Sequence, residues 1–96
     1  MESLPVVHES DKSRFVVETP SGMATIAYRL NDQILALPHT NVPKAEEGKG
    51  IAGRLTQAAL GWARDRGYSV DPQCSYVAGY FDRHPEEADL LVRHLD

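Results

Sequence analysis

His39-Thr40-Asn41-Val42-Pro43-Lys44-Ala45-Glu46-Glu47-Gly48-Lys49-Gly50-Ile51-Ala52 is the stretch that decides the fold. Upstream of it, Ile34-Leu35-Ala36-Leu37 is a short apolar run bounded by turn formers, the signature of a strand. Downstream, Ile51, Leu55, Ala58, Ala59 and Trp62 recur at helical spacing, while Arg54, Gln57, Arg64 and Asp65 occupy other faces. That pattern predicts an amphipathic helix of about four turns, with Trp62 in the core and Gly67 as its C-terminal cap. A strand therefore runs through a loop with two glycines into a helix. Backbone N–H groups at a helix start lack intrahelical partners, and the helix dipole adds partial positive charge. Glycines let main chain approach an anion closely, so a phosphate is a natural guest; a plain tight turn with a helix cap is the alternative. Gly48-x-Gly50 lacks the third glycine of a dinucleotide fingerprint and the Lys-Ser/Thr ending of a P-loop.

Working outward toward the N-terminus, Val6-Val7 and Phe15-Val16-Val17 are short apolar runs, and Thr19-Pro20-Ser21-Gly22 is a turn signal. Ala24-Thr25-Ile26-Ala27-Tyr28-Arg29 alternates, with Ala24, Ile26 and Tyr28 on one face. Asn31-Asp32-Gln33 turns the chain again. Connections this short favour antiparallel neighbours, so four strands are expected as a meander. Pro38 has no N–H to give a ladder, so the strand there is an edge, a bulge or a place where pairing stops; it marks either an ordinary strand end or the point where strand four parts from its neighbour. Toward the C-terminus, Tyr68-Ser69-Val70 reads as a fifth strand. A second helix is expected from about Ser75 to Arg83, and Pro85 opens a third whose Glu86, Glu87 and Asp89 suit the positive end of its dipole.

Ninety-six residues hold one modest core, so residues 1–96 are expected to be a single domain. Hydrophobic residues make up 42% and charged residues 25%, which excludes a disordered or fibrous chain. The net charge of −4 and the lack of a basic run argue against nucleic acid as a partner. A single cysteine, Cys74, excludes an internal disulfide and a thiolate metal site. No apolar stretch is long enough for a membrane span, and Met1-Glu2-Ser3-Leu4-Pro5 lacks a secretory pattern, so a cytoplasmic protein is expected.

Three motifs go further: His39-Thr40-x-Val42-Pro43, Gly48-Lys49-Gly50-Ile51-Ala52 and Pro72-x-Cys74-Ser75-Tyr76-Val77, supported by Tyr80-Phe81-Asp82-Arg83-His84-Pro85-Glu86. Together they resemble the small acetyltransferase-like branch of the GNAT superfamily, over roughly residues 24–90. The resemblance implies a minimal α+β fold: a mostly antiparallel sheet, a pyrophosphate-loop helix and short C-terminal helices. It also implies acetyl-CoA as co-substrate, with Thr40, Asn41, Val42, Glu47, Gly48, Lys49, Gly50, Ile51 and Ala52 around it, and the pantetheine arm in a cleft where strands four and five splay apart. Two positions depart from the family pattern: Ala45 and Glu47 stand where polar or basic residues usually help the pyrophosphate. Glu46 and Glu47 repel it if they point inward, which leaves main-chain amides, with Lys44 and Lys49 nearby. Only Ser10 to Ser13 join the first two strands, where larger relatives carry helices that wall the acceptor site.

The implied reaction is transfer of an acetyl group to an amine of unspecified acceptor, by direct attack or through Cys74; a CoA-binding or protein-interaction module without turnover is the alternative. Cys74 is either a small buried hydrophobe or a nucleophile at a helix start. Tyr80 is spaced like the family tyrosine that protonates the departing thiolate, with Tyr76 one turn earlier as its competitor; a core aromatic is the other reading of both. His39 is either a base for the incoming amine or a structural imidazole. His8, His84 and His94 are too dispersed for a metal site.

Overall fold

The computed structural model describes residues 4–92. Strands β1 (Val7–Glu9), β2 (Arg14–Thr19), β3 (Gly22–Asn31) and β4 (Ile34–Asn41) form the antiparallel meander, and β5 (Ser69–Asp71) joins β4 in parallel, in the spatial order β1-β2-β3-β4-β5. Both long hairpins close through two-residue turns. Thr19 pairs with Gly22 across Pro20-Ser21, and Asn31 pairs with Ile34 across Asp32-Gln33, where Asp32 takes a φ of 56°. A single 3₁₀ turn, Ser10–Lys12, joins β1 to β2. The result is an α+β fold with a mostly antiparallel mixed sheet.

Helix α1 (Ile51–Arg66) is the crossover from β4 to β5, and parallel pairing requires a connection of this kind. Its buried stripe is wider than the spacing predicts. Leu55, Thr56, Ala59, Leu60 and Ala63 are all buried, whereas Ala58 and Trp62 are only half-buried. The stripe widens because α1 packs against the sheet on one side and meets α2 (Ser75–Arg83) and the 3₁₀ segment Pro85–Leu90 on another. Thr56 tolerates full burial because its hydroxyl donates to the Ala52 carbonyl at 2.8 Å. Gly67 ends the helix with a φ of 74°, its amide reaching the Ala63 and Arg64 carbonyls. Phe15, Val17, Ala24, Ile26, Leu35 and Leu37 meet this stripe from the sheet. Val17, Ile26, Leu35 and Leu37, all fully buried, each contribute about 2 kcal/mol.

The fifth strand lies one residue later than the sequence predicts, and the expected third helix is the 3₁₀ segment Pro85–Leu90. Pro38 does not end β4, which continues to Asn41. Ala27 faces His39 and Arg29 faces Ala36, so Tyr28 stands opposite both Leu37 and Pro38. This is a β-bulge, one of the few places in a sheet that accepts proline. It also shifts the alternation by one. Leu35 and Leu37 point to the core, but beyond the bulge Thr40, paired with buried Ile26, takes the core-facing position and His39 does not.

Candidate functional site

The parallel pairing of β4 with β5 covers only Ile34 to Ala36. Beyond it the Cys74 amide donates to the Leu37 carbonyl at 3.1 Å, and the two chains then part. β4 stays paired to β3 as far as Asn41, so its other edge is free of β5 from Pro38 onward. Here the chain turns through Pro43 into a 3₁₀ turn, Lys44–Glu46, then the glycine loop, then α1.

The loop's conformation explains its glycines. Gly48 and Gly50 have φ of 83° and 82°, in the left-handed region that costs other residues energy, and a Cβ on either would meet no atom within 4 Å. The start of α1 is left bare. Gly50 caps it without a side chain, its first turn holds no acidic residue, and the first helical amide to find a carbonyl is that of Arg54, which donates to Gly50. The amides of Ile51, Ala52 and Gly53 are thus the open donors of a helix N-terminus. They border a cavity of about 530 Å³, lined by Thr40, Asn41 and Val42 from β4 and its exit, by the glycine loop, and by Tyr76 from α2.

Of the residues singled out from sequence, Thr40, Asn41, Val42, Glu47, Gly48, Gly50, Ile51 and Ala52 line this one cavity. Lys49 does not; its ammonium is held 2.9 Å from the Glu46 carboxylate. Cys74 sits at the N-cap of α2, with its sulfur 3.3 Å from the Thr40 hydroxyl, one residue removed from the lining. His39 is exposed, turned from the core-facing side by the bulge. Tyr80 is buried, its ring stacked on His84 at 4.1 Å, and burial, aided by Glu87, pushes its phenol above the usual value. It is not part of the cavity wall. Tyr76 is, and its hydroxyl lies 3.4 Å from where a Cβ on Gly53 would stand, which explains a glycine in the first turn of α1.

Two contributors escaped the sequence reading. Gly53 follows the loop motif and carries no local signal beyond being a glycine inside a helix. Glu46, expected only as a possible repulsion, is 6% exposed, with both carboxylate oxygens occupied. Hydrogen bonds from Lys49 and from Ser21 hold its carboxyl below the ordinary range. Among the described residues no cluster of His, Cys, Asp and Glu has the form of a metal site, and no helix is long and apolar enough to cross a membrane.

A splayed β4–β5 pair and a bare helix start behind two left-handed glycines are the geometry that the motifs imply. The family described as GCN5-related N-acetyl-transferase matches residues 14–90. The chain belongs to that family. Curated relatives include the protein NATD1 of Gallus gallus, 29% identical over 85 residues that cover 85% of this chain and 77% of that protein. NATD1 of Mus musculus is 30% identical, covering 83% of this chain and 76% of its own length. Among solved structures, a solution structure of a GCN5-like protein from Staphylococcus aureus superposes with a TM-score of 0.77, covering 99% of this chain and 94% of that one. At 19% identity that likeness speaks for the GNAT fold alone.

Proposed function

We propose that residues 1–96 act as one domain, an acetyl-CoA-dependent N-acetyltransferase, with the cavity between β4 and the start of α1 as the cofactor site. The observation that carries this reading is the set of open amides at Ile51, Ala52 and Gly53, facing a cavity walled by the same residues. A pyrophosphate is the anion such a site suits, since donors and dipole act together and no side chain competes for them. The fit relies on main chain, because no lysine or arginine lines the cavity while Glu46 and Glu47 do; the Glu46 carboxylate is engaged by Ser21 and Lys49.

The thioester then lies along the free edge of β4. A main-chain amide between Thr40 and Val42 polarises its carbonyl as an oxyanion hole does. In direct transfer the amine nitrogen forms the new C–N bond and gives up a proton to solvent, the C–S bond breaks and the thiolate takes a proton. Tyr76, on the cavity wall, is the better-placed donor for that proton than buried Tyr80. In the covalent route the Cys74 sulfur forms a thioester with the acetyl group as the CoA C–S bond breaks, the thiol proton leaving with CoA; the amine then takes the acetyl group and returns a proton to the freed cysteine sulfur. The contact between Cys74 and Thr40 supports a place for the thiol at the thioester end of the cleft.

Mass spectrometry after incubation with acetyl-CoA tests the reading. An acetyl increment on Cys74, lost in Cys74→Ser together with most of the transfer rate, supports the covalent route. Acetylated amine products with Cys74→Ser unimpaired support direct attack. CoA retained with neither outcome reduces the protein to a binding module, and no CoA binding at all overturns the assignment.

A further inference from the structure

We infer that Glu46 is a positioning residue that sets the pitch of the glycine loop before any ligand arrives, acting through Ser21 of the β2–β3 turn and Lys49 of the loop. This inference rests on the reading of the cavity as a CoA site. Its basis is a chain of contacts that sequence separation conceals. The β2–β3 turn is pinned from within: the Thr19 hydroxyl donates to the Gly22 carbonyl at 2.6 Å and accepts from the Ser21 amide at 3.1 Å. Outside the turn, Ser21 Oγ donates to Glu46 Oε2 at 2.9 Å, across 25 residues of chain. The other carboxylate oxygen, Oε1, accepts from Lys49 Nζ at 2.9 Å. Gly22 also packs near Pro43, whose ring lies 3.8 Å from the position of a Cβ on Gly22.

Glu46 thus joins a rigid hairpin turn to the residue between the two left-handed glycines. A buried carboxylate is costly unless its oxygens are satisfied, and movement of the loop away from the β2–β3 turn breaks the Ser21 contact that helps to satisfy this one. The same contact restrains Lys49, whose ammonium is engaged by Glu46 and not by the cavity. The main-chain amides, not a lysine, are left to meet the phosphates. The loop is preorganised at the expense of a side-chain charge.

The test separates position from charge. Glu46→Ala combined with Lys49→Ala leaves the net charge unchanged but removes the latch; Glu46→Gln keeps an acceptor for Ser21. CoA affinity is read by calorimetry, and loop order by amide hydrogen exchange of residues 44–50 in ligand-free protein. The expected result is a loss of CoA affinity of about tenfold or more in the double variant, with faster exchange throughout the loop, and recovery to within about threefold in Glu46→Gln. Ser21→Ala reproduces part of both effects. If loop exchange in the double variant equals that of the parent, the latch is overturned whether or not CoA binds. If exchange rises but CoA affinity is unchanged, positioning for CoA is overturned. If the parent protein binds no CoA, the functional reading fails, while the exchange data still decide the latch.

Discussion

Helix α1 is built in opposite ways at its two ends. At Ile51 to Gly53 its amides are open, its neighbours are glycines, and the space before it is empty. About 16 Å along the axis, Trp62 closes a cluster in which every ring finds a partner. Trp62 lies 4.7 Å from the His8 ring, 5.0 Å from Tyr28 and 5.4 Å from Tyr68, and His8 stacks on Phe15 at 4.2 Å. A 2.6 Å hydrogen bond joins His8 Nε2 to the Tyr28 hydroxyl. The aromatic end gains stability from filling space and from edge-to-face and stacked contacts. The glycine end gives up such contacts to keep donors available. On the proposed function, stability and binding are thus placed at different turns of one helix.

That division breaks if either end serves the other's purpose. The largest expected effect is at the glycine loop: Gly48→Val with Gly50→Val abolishes stabilisation by CoA in thermal melts, because both positions need left-handed backbone and both line the cavity proposed for the cofactor. Full CoA stabilisation in that variant would remove the loop from the site. Next in size, Trp62→Ala costs about 3 kcal/mol in urea denaturation, as expected for deleting a large aromatic from a packed cluster, and leaves CoA affinity unchanged in the protein that remains folded. A parallel loss of affinity would show the two ends to be coupled.

The smallest effect is one of pH. Burial, assisted by Arg66, holds the His8 imidazole below its ordinary pKa, so the folded state favours the neutral ring. The stability this confers is present above the unfolded value near 6.5 and is lost as pH falls below it through the folded pKa. His8→Gln should flatten that slope in denaturation midpoints measured between pH 7.5 and 5, roughly the range over which an imidazole changes charge. An identical slope in the variant would assign the effect to another group.

Much of this was legible in the sequence where local rules act alone. The alternation of Ala24, Ile26 and Tyr28, the turn at Thr19 to Gly22 and the cap at Gly67 each depend on neighbours a few residues away, and each stands where the spacing puts it. The loop motif likewise located most of the cavity wall. Long-range geometry is what escaped. Period-two alternation from Leu35 and Leu37 would place His39 toward the core, and only the pairing with β3 reveals the bulge that turns it away. Tyr76 and Tyr80 are one helical turn apart, so spacing alone does not say which meets a cavity formed by another helix. Glu46 is read only as a charge that repels a phosphate if it points inward, until the β2–β3 turn, far away in sequence, is folded against it.

The bulge at Pro38 gives β4 two reading frames. From Ile34 to Leu37 the odd-numbered side chains answer to the core; at Thr40 an even-numbered one does, and that hydroxyl stands beside Cys74. Loss of one residue at this point would not merely shorten a strand. It would remove the bulge and its bend, yet leave Thr40 opposite Ile26 and its hydroxyl beside the thiol. What stands next to Cys74 is therefore set by the partner across the sheet and not by the distance along β4, and the bulge is the slack that lets an odd residue be carried without changing it.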